Sequence, residues 1–166
     1  MTKRLLEAHF DGACTPMNPG GTATYGAHVV DRFVAKVIYE GKGVVCEGPG
    51  ATNNIAEYAG FIKVLEWLAQ LEEPSETKIY GDSKLVLMQV TGAWRINAPH
   101  LLKLCNEARE KLKALHAKGH QITLEWVPRE LNTHADRLSK LAYTEATGLP
   151  PPPDSVHRKK KDGTTS

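Results

Sequence analysis

Cysteine is scarce in this chain: Cys14, Cys46 and Cys105 are odd in number and far apart. No C-x-x-C spacing occurs, which argues against a disulfide framework or a zinc site and makes a reducing cytoplasmic setting the expected one. Long apolar runs are missing too. None approaches the ~18 residues of a membrane-crossing helix, so no membrane association is expected. The opening MTKRLLEAHFD is interrupted by Glu7, His9 and Asp11 and is not expected to act as a signal peptide. Internal repeats are absent, and so is any charge excess in the body. From Asp154 onward four basic residues stand against two acidic ones, which accounts for the whole net charge of +2 and leaves residues 1–153 formally neutral. A strongly basic domain would have pointed to nucleic acid by charge alone, and this body does not. With 166 residues, 41% hydrophobic and 24% charged, the composition fits one soluble domain with chain enough for a sizeable core.

What is present has a clear order. Residues 4–12 read as a strand, followed by a turn-rich stretch. YGAHVVD (25–31) and KVIYEGKGVV (36–45) read as strands in a hairpin arrangement. TNN (52–54) opens a long helix through about Leu71, ahead of the break at Glu72-Glu73-Pro74-Ser75. KIYGD (78–82) is a short strand and SKLVLMQV (83–90) a short helix. A connection, GAWRINAPH (92–100), leads to a helix from Leu101 to about Lys118. QITLEWV (121–127) has the β-branched and aromatic character of a strand, and Asn132 opens a last helix to about Ala146. The sequence predicts an α/β fold with a mixed sheet covered by helices. LPPPPDSVHRKKKDGTTS, from residue 149 on, is too polar and proline-rich to bury much surface and is expected to be a mobile tail.

Four acidic residues stand out, each with a bland explanation beside the chemical one. In HFDGACTPMNPGG (9–21) an apolar strand runs into Asp11 and then into small residues and turn formers, although acids also commonly end strands. Glu57 lies on the same helical stripe as Phe61, Val64, Leu68 and Leu71, the face that packs on the sheet. A carboxylate there is costly without a partner, unless it merely favours the helix dipole. Asp82 precedes Ser83 and could cap the next helix. Asp136 sits in the first turn of the last helix, off the stripe of Leu138, Leu141 and Ala142, where a surface acid would look the same.

Together these pieces form a succession: strand-Asp-Gly with N-P-G-G, then T-N-N-x-A-E, then strand-x-Asp-Ser, then W-V-P-R-E-x-N-x-x-A-D-x-L. It resembles type 1 ribonuclease H, the endonuclease family that cuts the RNA strand of an RNA–DNA hybrid, over about residues 4–147. The resemblance implies a ribonuclease H-like fold, a mixed five-stranded sheet with helices on both faces. It divides the chain into a catalytic domain (1–147) and a basic tail (148–166). It makes Asp11, Glu57, Asp82 and Asp136 the metal-coordinating catalytic acids. Hard oxygen ligands suit Mg²⁺, with Mn²⁺ an alternative. Two ions roughly 3.5–4 Å apart would clamp one phosphodiester, leaving 5′-phosphate and 3′-hydroxyl ends. Gly12 and Ala13 are expected to leave room for that phosphate. A monomer acting on RNA–DNA hybrid is the expected state, with double-stranded RNA a further candidate substrate. The other readings are a hybrid-binding module of the same fold without turnover, and another ribonuclease H-like nuclease.

The same resemblance places substrate contacts at the backbone of Gly12, Ala13 and Cys14, at Thr52, Asn53 and Asn54 beside the 2′-hydroxyl, and at Ser83. Helix capping explains at least one of the T-N-N residues equally well. Trp94 either helps form the channel for the DNA strand or covers a helix end. Two departures from many relatives matter. The connection at 92–100 lacks their basic helix and loop, with Arg95 its one Lys or Arg, so binding is expected to be weaker and more salt-sensitive. The HRKKK tail either compensates or is a solvated end. The loop V127-P-R-E-L-N-T-H-A-D136 is also short, as in archaeal and plant-like members, and lacks their relatives' mobile loop His. His134 lies within the last helix and is not its equivalent; Arg129 is the candidate stand-in, or else pairs on the surface with Glu130 or another acid.

Overall fold

The first strand outruns its expected length. In the computed structural model, which describes residues 3–151, β1 spans Arg4–Thr15 and carries Asp11 within it rather than at its end. Alternation accounts for the first half: Leu6, Ala8 and Phe10 are buried, while Leu5, Glu7 and His9 are more open. Ala13, Cys14 and Thr15 lie beyond the expected strand end at residue 12, yet they continue the ladder with β2 (Thr22–Asp31), where Asp11 faces Gly26 and Gly12 faces Tyr25. A second antiparallel neighbour, β3 (Lys36–Glu47), completes the meander.

Helix α1 (Asn53–Ala69) starts where Thr52 accepts a hydrogen bond from the Ile55 N–H. Its apolar face, including Phe61, Val64, Leu65 and Leu68, shares one core with Leu6, Ala8 and Phe10, and the Phe10 and Phe61 rings lie 5.2 Å apart. Strand β4 (Ser75–Gly81) runs parallel to β1, and α2 (Lys84–Val90) follows at once. Helix α3 (Pro99–Ala117) starts two residues ahead of the expected Leu101, since Pro99 suits a first helical position. Strand β5 (Gln121–Trp126) runs parallel to β4. A short 3-10 turn, Arg129–Leu131, precedes α4 (Thr133–Thr147), which ends at Gly148 with a left-handed φ of 75°.

The sheet order is β3-β2-β1-β4-β5, a mixed five-stranded sheet with helices on both faces, as the resemblance implied. Two glycines show how closely the layers approach. A methyl group on Gly12 would overlap the backbone of Ala56 and Glu57 in α1; one on Gly26 would overlap the backbone of Ala135 in α4. The missing side chain of Gly12 therefore makes room for a helix, a packing demand that stands beside the expected room for a phosphate. No helix among the described residues is long and apolar enough to cross a membrane. The tail from residue 152 lies outside the described residues.

Candidate active site

Parallel pairing of β1 with β4 sets Phe10 opposite Gly81, so Asp11 and Asp82, one residue further on, stand side by side where β4 ends. Glu57 arrives from α1, whose backbone presses against Gly12. One carboxylate oxygen from each of Asp11, Glu57 and Asp82 lies within 4.8 Å of the others. Asp11 and Glu57 are buried, at 1% and 2% exposure. Glu57 is the fifth residue of α1, past the first turn, which removes the dipole explanation for it. Ser83, not Asp82, caps α2 by accepting from the Val86 N–H.

Three ionised carboxylates at such spacing repel by about 3–4 kcal/mol per pair at an effective dielectric of ~20. That sum rivals the whole stability of a domain, roughly 5–15 kcal/mol. The arrangement therefore calls for a cation or for protons. A set of hard oxygen donors, two of them buried and one half-buried, suits a divalent ion such as Mg²⁺ or Mn²⁺. Asp136 is not brought into this trio. It lies in the first turn of α4, a quarter exposed, and its carboxylate pairs with Lys140 at 3.0 Å.

Asn132 stands at the start of α4, where a helix opener is expected, but its side chain makes no capping bond. Instead Nδ2 donates to the Phe10 carbonyl at 2.9 Å and to Asp82 Oδ2 at 3.1 Å. The side chain is 1% exposed and ties α4 to both strands that carry acids. Its place four residues before Asp136 in the E-x-N-x-x-A-D pattern was the one available signal.

Around the trio, the residues expected to touch substrate sort into two groups. Thr52 and Ser83 are spent on helix caps. Asn53 accepts from the Cys14 N–H at 2.7 Å, while its own N–H donates to Asn18; the Gly12 N–H is held by Asp11 at 2.9 Å. The N–H groups of Gly12 and Cys14, in the backbone expected to meet substrate, are thus already engaged within the protein. Asn54 differs: it is 91% buried, and its Nδ2 has no hydrogen-bond partner among the described residues. Trp94 sits beyond α2 with its N–H bonded to the Met88 carbonyl and its side chain partly exposed. Arg129 lies on the 3-10 turn; its Nη1 is buried without a partner, and among the described residues it joins no ion pair, with Glu130 or any other acid. His134 pairs with Glu40 at 2.6 Å and packs edge-on against His28, so its ring is committed to the sheet.

Comparison with known proteins decides the family. A family model described as "Reverse transcriptase-like" matches residues 9–142. The chain is similar to the solved N-terminal RNase H domain of Rv2228c from Mycobacterium tuberculosis, with 38% identity and a TM-score of 0.74, covering 88% of this chain and 98% of that one. The RNase H1 structure from Halobacterium salinarum matches with 31% identity and a TM-score of 0.69, over 85% and 98% of the two chains. This chain belongs to the type 1 ribonuclease H family.

Among full-length relatives of this ribonuclease H chain, "Ribonuclease HI" of Halobacterium salinarum is 36% identical over 146 residues, 85% of this chain and 65% of that protein. The "Bifunctional protein Rv2228c" of Mycobacterium tuberculosis is 41% identical over 129 residues, 78% of this chain. The chain spans about a third, 33%, of that mycobacterial protein.

Proposed function

We propose that the chain is a metal-dependent endoribonuclease that hydrolyses the RNA strand of RNA–DNA hybrids. The observation that carries this reading is the convergence of Asp11, Glu57 and Asp82, from β1, α1 and the end of β4, to within 4.8 Å. Family membership supports it, as does the similarity, at 26% identity and a TM-score of 0.70, to LC11-RNase H1, solved in complex with an RNA/DNA hybrid.

In this reading residues 1–147 form the catalytic domain and 148–166 a tail. Asp11, Glu57 and Asp82 hold the divalent cations, Mg²⁺ first and Mn²⁺ as a substitute, and Asp136 joins them once its pair with Lys140 opens. When bound, the cations supply Lewis-acid activation of a water and charge stabilisation at the scissile phosphate. The protein's own part is positioning. Asn132 holds Asp82 against β1, and Gly12 lets α1 bring Glu57 up to the strand. The Asn54 amide offers a donor to an oxygen of the minor groove, where the 2′-hydroxyl tells RNA from DNA. Asn53 and the backbone of Gly12, Ala13 and Cys14 shape that wall. Thr52 and Ser83 act through their caps, Trp94 borders the DNA strand, and Arg129 places positive charge beside the phosphate. The enzyme acts as a cytoplasmic monomer.

The test uses a labelled RNA strand paired with DNA, paired with RNA or left single, with wild type and Asp82→Asn in Mg²⁺, Mn²⁺ or EDTA. Internal cutting of the hybrid RNA, with 5′-phosphate and 3′-hydroxyl ends and lost in Asp82→Asn and in EDTA, is the expected result. A folded wild type that binds hybrid and never cuts it overturns the proposal in favour of a binding module.

A further inference from the structure

A lysine at the first position of a helix sits at the wrong end of the helix dipole. Helix α2 nevertheless begins with Lys84, immediately after its cap Ser83 and two residues from Asp82. Among the described residues Lys84 joins no ion pair, despite the carboxylates close by in sequence. Its ammonium lies instead over the indole of Trp126, 4.8 Å from the ring centroid, within cation–π range.

Trp126, at the end of β5, is 47% exposed, and its Nε1 donates to the Asp82 carbonyl at 3.2 Å. The ring is thus fixed to the backbone of a cluster acid, and the lysine is fixed to the ring. This arrangement has two effects. It holds the ammonium away from the carboxylates, where a cation of the chain's own would compete with a metal ion. It also keeps an exposed positive charge on a ring that is bonded to the Asp82 backbone. An ammonium on such an aromatic platform suits a polyanionic backbone. With Arg95 the one Lys or Arg in the connection at 92–100, a single cation here carries more weight.

We propose that Lys84, seated on Trp126, contacts a backbone phosphate next to the scissile one and is a substrate-binding residue of this chain. The inference rests on the hybrid-cleaving reading for its substrate. It is tested by binding, so that the two can fail separately. Binding of a labelled RNA–DNA hybrid is followed by fluorescence anisotropy across a salt series, with Ca²⁺ replacing Mg²⁺ and the RNA checked for integrity. One phosphate contact contributes a factor of about [salt] to the power −0.9, roughly eightfold at 0.1 M. Lys84→Gln is therefore expected to raise Kd roughly five- to tenfold at that salt and to lower the log–log salt slope by about 1. Lys84→Arg keeps both near wild type. Trp126→Leu raises Kd, and the double variant binds no more weakly than Lys84→Gln alone, because platform and charge act as one unit.

A merely structural Lys84 would not move the salt slope. A wild-type Kd and slope in Lys84→Gln overturn the inference, even if the hybrid is cut normally in Mg²⁺. A Lys84-dependent slope without cutting in Mg²⁺ upholds the contact and overturns the ribonuclease reading instead.

Discussion

The side-chain amide of Asn132 joins the Asp82 carboxylate to the backbone of β1, donating at 3.1 Å to Oδ2 and at 2.9 Å to the Phe10 carbonyl. One buried NH₂ group thereby sets the relation between two neighbouring strands at the point where each presents an acid.

Replacing Asn132 tests that clamp. Asn132→Ala leaves a buried carbonyl without its donor and is expected to cost about 1–3 kcal/mol of stability. It also releases Asp82, so hybrid cleavage falls and Mg²⁺ stabilises the variant less than wild type. Denaturant melts with and without Mg²⁺, alongside kcat and KM, provide the check. Equal Mg²⁺ stabilisation in both proteins would show that Asn132 does not position the acid.

The carboxylate trio should make the metal-free protein less stable than its backbone allows. Glu57→Gln removes two of the three repulsions and is expected to stabilise the protein in EDTA by about 1–3 kcal/mol, once lost hydrogen bonding offsets part of the Coulomb gain. For a domain of this size that is a rise in Tm of roughly 2–4 °C per kcal/mol. Mg²⁺ should raise the Tm of wild type and leave that of Glu57→Gln nearly unchanged. Calorimetry in the two buffers measures both effects, and a variant less stable than wild type in EDTA contradicts the repulsion argument.

Gly12→Ala is expected to be severe for a reason unrelated to substrate. The added methyl group meets the backbone of Ala56 and Glu57, which cannot turn aside as a flexible side chain can. The expected loss is about 1–3 kcal/mol or more, together with displacement of α1 and of Glu57. Circular dichroism melts report the first effect, and Mg²⁺ titration of the surviving fold the second. A stable Gly12→Ala protein that merely binds hybrid less well would restore the phosphate explanation.

Acid sensitivity follows from His28. Its imidazole is buried, stacked on His9 with centroids 4.9 Å apart and meeting His134 edge-on at 4.3 Å. Burial first, then the neighbouring His134, His9 and Arg137, push its pKa down from 6.5 to about 3. Above pH 6.5 the group is neutral in both the folded and unfolded chain and contributes no slope. As pH falls from about 6.5 to about 3, the unfolded chain takes up a proton that the folded one refuses. Stability then drops by about 1.4 kcal/mol per pH unit from this group. In His28→Gln the stability–pH curve should lose that component. An unchanged slope between pH 6 and 4 in denaturant melts would assign the acid sensitivity to other groups.

Features that depend on atoms a few residues apart could be read along the chain. Thr52 caps α1 through Ile55, three residues on, and the alternation at Leu6, Ala8 and Phe10 announces β1. Glu57 on an apolar stripe declared a buried acid for the same reason, since helical periodicity is local. The succession of acidic motifs carried the family and, with it, the mixed sheet.

Features made by contacts between distant segments left no such trace. Asn132 reaches Phe10 across 122 residues and Trp126 reaches Asp82 across 44, so nothing near either residue advertises its partner. The small sequence neighbours of Gly12 suggest space for a ligand, while the helix packed against it could not be read from them. Asp136 carries the same motif signal as the other acids, yet it is not part of the trio and pairs with Lys140. Periodicity and capping chemistry are written into the order of residues along a segment; which groups share a site depends on how the sheet orders its strands and how closely the helices pack upon it.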